Sequence, residues 1–61
     1  MSRAIAFRLI QSFGMIVHFT SNGEYILNYP IWDERRQRDS SYATTDVDDA
    51  IITARLMSGR I

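Results

Sequence analysis

The densest group of chemically capable side chains is Asp46, Asp48 and Asp49, inside the run Thr45-Asp46-Val47-Asp48-Asp49. Clustered acids suggest a divalent cation. A calcium loop, however, needs oxygen donors at alternating positions, a central glycine and a glutamate at its twelfth position. That pattern is absent. The first turn of a helix also calls for negative side chains, because its N–H groups lack partners and its dipole end is positive. Thr45 stands at N-cap spacing with Asp48 at the capping-box position, so capping accounts for the acids and no metal is expected. His18 is the single histidine and cysteine is absent. Spacing sets no hydroxyl, thiol or paired carboxylate beside His18, so a structural role is expected rather than acid–base work. No catalytic residue and no cofactor is expected, and the chain reads as a non-enzyme.

The other chemically notable stretch is Trp32 to Arg38, where an indole precedes Arg35, Arg36 and Arg38. Such a set could stack on a base and contact phosphates, or form a protein hot spot, where Trp and Arg are over-represented. Asp33, Glu34 and Asp39 interleave and cancel the three cations, which favours a solvated loop or a protein partner over nucleic acid. The whole chain repeats that balance: seven basic residues, all Arg, against seven acidic ones. A net charge of zero gives no general attraction to nucleic acid or anionic lipid. No apolar run approaches the ~20 residues of a membrane span, and Arg8 interrupts the one near the start, so a soluble, cytoplasmic protein is expected.

These residues are positioned by a single small domain, 1–61. The chain is organised around Met15 to Tyr29, two β-prone runs flanking Ser21-Asn22-Gly23. Asn and Gly tolerate the positive φ that a tight turn requires. A two-residue Asn22-Gly23 turn would leave both strand faces mixed. A type I turn over Ser21-Asn22, with Gly23 left-handed as a bulge, pairs Phe19 with Tyr25, Val17 with Leu27 and Met15 with Tyr29. All six are apolar or aromatic, and a one-residue slip would undo that separation, so the bulged register is expected. The other face receives Ile16, His18 and Ile26. Pro30 ends the second strand because it lacks an N–H.

Strands are expected at about 15–20, 24–29 and 41–44, and a C-terminal helix at 46–58 with Gly59 as its stop. On that helix Val47, Ala50, Ile51, Ala54 and Met57 recur at offsets of three and four and should pack on the aromatic sheet face. Ile52 and Leu56 lie on the far side, where a partner could cover them. Residues 2–13 read as a helix with Ser2 as N-cap and Gly14 past its end, or alternatively as a fourth strand. As a helix, Ile5, Ala6, Leu9, Ile10 and Phe13 form the inward stripe and Phe7 is the misfit. The fold class is therefore α+β: a three-stranded antiparallel sheet packed on the C-terminal helix, with the N-terminal helix added.

The order helix–strand–strand–strand–helix is similar to that of double-stranded-RNA-binding domains. Where those carry a basic cluster at the start of the last helix, this chain has Asp46, Asp48 and Asp49, which repel phosphate. Small cysteine-free chains of this kind also look similar to accessory open reading frames of bacteria and their phages. A domain of this size buries only ~60% of its unfolded surface and gains from reinforcement. Without cysteines or a metal set, self-association is the reinforcement left, and a homodimer is expected. The functional expectation is a regulatory or accessory module that binds another protein. The candidate surfaces are the loop residues Trp32, Arg35, Arg36 and Arg38, the sheet residues Ile16, His18 and Ile26, and the helix pair Ile52 and Leu56. The alternative is a nucleic-acid-binding accessory factor using the loop 32–38.

Overall fold

The structure is a computed structural model and describes residues 2–30 and 41–59. Its elements run α1 (Arg3–Ser12), β1 (Ile16–Phe19), β2 (Tyr25–Asn28), β3 (Tyr42–Thr44) and α2 (Val47–Ser58). The strands form one antiparallel sheet in the order β1-β2-β3. Both helices pack against the sheet and against each other. This is the α+β arrangement read from the sequence, with residues 3–12 helical rather than a fourth strand.

Local chemistry explains each boundary. Ser2 is extended and its hydroxyl accepts from the Ile5 N–H at 3.3 Å, capping α1. At the other end Gly14 takes φ +86°, its N–H donates to Gln11 C=O at 2.9 Å, and Met15 N–H donates to Ile10 C=O at 3.4 Å. That pair of bonds is a Schellman close, and it turns the chain straight into β1. Ile10 and Met15, which frame the turn, both belong to the core.

The hairpin takes the bulged register. Its partners are Ile16–Asn28, Val17–Leu27, His18–Ile26 and Phe19–Tyr25. Gly23 N–H donates to Thr20 C=O at 3.1 Å, and Gly23 itself has φ +84°. The Thr20 hydroxyl accepts from Glu24 N–H at 3.1 Å, which ties the far side of the turn. Met15, Val17, Tyr25, Leu27 and Tyr29 are buried on the helix side, with Phe19 packed beside them.

Helix α2 delivers the expected face: Ala50 and Ala54 are fully buried, with Val47, Ile51 and Met57 packed around them. Two details depart from expectation. The N-cap is Asp46, not Thr45; the Asp46 carboxylate accepts from the N–H groups of Asp48 and Asp49 at 2.9 and 3.5 Å. A carboxylate meets the positive helix end with a full charge, and Thr44, whose hydroxyl accepts from Asp46 N–H at 3.2 Å, sets it there.

The second departure is the roll of α1. Its buried residues are Ala6 and Ile10, with Phe7 and Phe13 packed on the core, while Ile5 and Leu9 are 49% and 37% exposed. Phe7 is thus a core contact. Its ring meets Tyr25 edge-on with centroids 6.2 Å apart, and Tyr25 in turn meets Phe19 at 5.0 Å. Aromatic pairs of this geometry contribute ~0.5–1.5 kcal/mol beyond the burial of the ring itself, and the two together favour Phe7 over Ile5 on the core side. Arg3 lies on the same side, its guanidinium 3.8 Å over the Phe19 ring.

Candidate interaction surfaces

The roll of α1 changes what the helix layer offers. Both helices pack on the sheet and against each other as one helix layer. Four aliphatic side chains stand out on it: Ile5 and Leu9 from α1, and Ile52 and Leu56 from α2, the last two 59% and 65% exposed. Among the described residues these are the exposed large aliphatics, and all four belong to the helices. Ile52 and Leu56 were expected there. Ile5 and Leu9 were missed, and the overlooked signal was Phe7. Once Phe7 is turned inward, residues 3, 6, 7, 10 and 13 share the core face and residues 5 and 9 fall on a flank.

The opposite side of the molecule is the second sheet face. There His18 pairs with Ile26 and Ile26 with Ala43, while Ile16 pairs with Asn28. Ile16 and Ile26 are half-buried and His18 is exposed. The sheet core and the helices separate this group from Ile52 and Leu56, so the two are independent surfaces. Trp32, Arg35, Arg36 and Arg38 lie outside the described residues.

The acidic group at the start of α2 is engaged in structure. Asp46 is the cap, and Asp49 accepts a 2.6 Å hydrogen bond from the Tyr42 hydroxyl, linking β3 to α2. That bond holds the Asp49 carboxyl below its ordinary range, with Thr44 and Thr53 hydroxyls adding to the effect. It also raises the Tyr42 phenol, helped by partial desolvation and the Asp49 charge. Among the described residues no group of three or more His, Cys, Asp or Glu is placed to hold a metal ion. Nor is any of their helices long and apolar enough to cross a membrane.

No protein-family model matches the chain, and comparison with curated proteins and with solved structures likewise gives no match.

Proposed function

We propose that the protein is a small, non-enzymatic interaction module of regulatory or accessory type. In this reading it self-associates and docks a second protein on its helix layer, in the cytoplasm. The observation that carries the reading is the set Ile5, Leu9, Ile52 and Leu56, two exposed aliphatic side chains on each of the two helices. Fully burying an exposed Leu or Ile is worth ~1.5–3 kcal/mol, and these four, 37–65% exposed, each offer roughly half of that to a partner. Rims of such a patch supply orientation, and here Arg8, Asp48 and Arg55 are exposed on the same two helices.

The test is the double variant Ile52→Glu with Leu56→Glu. Both side chains point away from the core, so the helical circular dichroism and the melting temperature should change little. Proteins cross-linked to the wild type in its host cell should be lost from the variant. Partners retained by the variant, or no partner captured by the wild type, contradicts the reading.

A further inference from the structure

Given the self-association proposed above, the hairpin's hydrogen bonds indicate where a second copy attaches. Thr20 N–H donates to Glu24 C=O at 2.9 Å, which makes Thr20–Glu24 a hydrogen-bonded position of the hairpin. Antiparallel ladders alternate hydrogen-bonded and non-hydrogen-bonded pairs. His18–Ile26 and Ile16–Asn28 are therefore hydrogen-bonded pairs, whereas Val17–Leu27 and Phe19–Tyr25 are not. The N–H and C=O groups of Val17 and Phe19 accordingly point away from β2. Since β1 ends the strand order, nothing among the described residues pairs with them.

This edge also lacks the usual protection. Edge strands are blunted by charges, proline, bulges or extreme shortness. Ile16-Val17-His18-Phe19 carries no proline, no bulge and no Asp, Glu, Lys or Arg. The opposite edge, β3, has three residues, and only Ala43 turns its backbone groups outward by the same alternation. β1 thus carries no carboxylate, ammonium or guanidinium of its own to repel a copy. The backbone then selects one antiparallel register. Pairing Val17 with Phe19 of the copy, and Phe19 with Val17, satisfies all four outward groups of each strand using residues already extended. Sliding the pairing by two residues would draw in Met15, whose N–H is engaged with Ile10 C=O, or Ser21, which lies in the turn.

The geometry points to β1 as a self-pairing edge that joins two copies into a six-stranded sheet, with His18 facing His18 across the two-fold axis. Val17 then lies beside Phe19 of the copy on the helix side, a β-branched and aromatic cross-strand pair. Two short strands bury less than the ~1,200–2,000 Å² of a standard interface, so association depends on concentration.

The absence of cysteine permits a clean test, His18→Cys. His18 is exposed, so the substitution leaves the core alone. Non-hydrogen-bonded partners have Cα atoms about 4.5 Å apart, within the range a disulfide spans. Under mild oxidation at high concentration, His18→Cys should form a covalent dimer at least about tenfold faster than Gln11→Cys, an exposed position on α1. Chemical synthesis of the chain with N-methyl-Val17 gives the second arm. It removes an N–H that bonds to nothing among the described residues, so melting should hold while sedimentation shows the dimer lost. If the wild type dimerises but His18→Cys links no faster than Gln11→Cys, or N-methyl-Val17 leaves the dimer intact, the edge inference is overturned and self-association stands. If the wild type stays monomeric up to about 1 mM, self-association itself fails.

Discussion

Asp46 begins α2 with a single carboxylate oxygen, Oδ1, which accepts from two successive N–H donors. Removing it in Asp46→Ala should cost about 1 kcal/mol in urea unfolding, while Thr45→Ala should stay within about 0.5 kcal/mol. Equal losses would return the cap to Thr45. Spacing alone points to Thr45; in a run of cap-competent residues the choice depends on where β3 ends, and that is a tertiary fact. Tyr42 and Asp49 define a second residue-level test. The Asp49 carboxyl is lowered from its ordinary 3.8, so its contribution is present above that pH and fades as pH falls through the lowered value. The Tyr42 phenol is raised from 10.0, so its contribution is present below that pH and fades as pH rises through the raised value. Tyr42→Phe should melt slightly earlier than the wild type at neutral pH, and the gap should close in strong acid and strong alkali. A gap independent of pH would mean that the hydroxyl contributes nothing through Asp49.

At the scale of elements, the hairpin was legible because only one register separates apolar from polar faces, and backbone and side chains agree on it. Gly23→Ala probes the turn. A Cβ there meets nothing within 4 Å, so the loss comes from the +84° φ alone and should be about 1–2 kcal/mol. The roll of α1 was not legible, because a helix carrying Ile5, Ala6, Phe7, Leu9, Ile10 and Phe13 offers two overlapping apolar faces. Tyr25, from the middle strand, decides between them by taking the Phe7 ring. Phe7→Ala should therefore cost roughly 2 kcal/mol, less than a fully buried phenylalanine, and Ile5→Ala should cost under about 0.5 kcal/mol. The reverse order would place Ile5 inward. The face of α2 was readable because Val47, Ala50, Ile51, Ala54 and Met57 leave no competing stripe.

At the scale of the whole molecule, the described residues form one sheet covered on one side by two helices. The helices spend their apolar faces on that sheet and still present Ile5, Leu9, Ile52 and Leu56 outward. The second sheet face and the β1 edge lie away from that layer, which allows a copy at the edge and a different protein on the helices at once. Composition already limited the reinforcements available to so small a core; it could not say which surface supplies one, because strand order and hydrogen-bond alternation exist only in the fold. Backbone amide exchange followed by NMR as a function of concentration tests this division most directly. His18 N–H, bonded to β2, should be protected at every concentration. Val17 and Phe19 N–H should exchange freely in dilute solution and gain protection as concentration rises. Protection of Val17 and Phe19 that does not change with concentration would contradict the account.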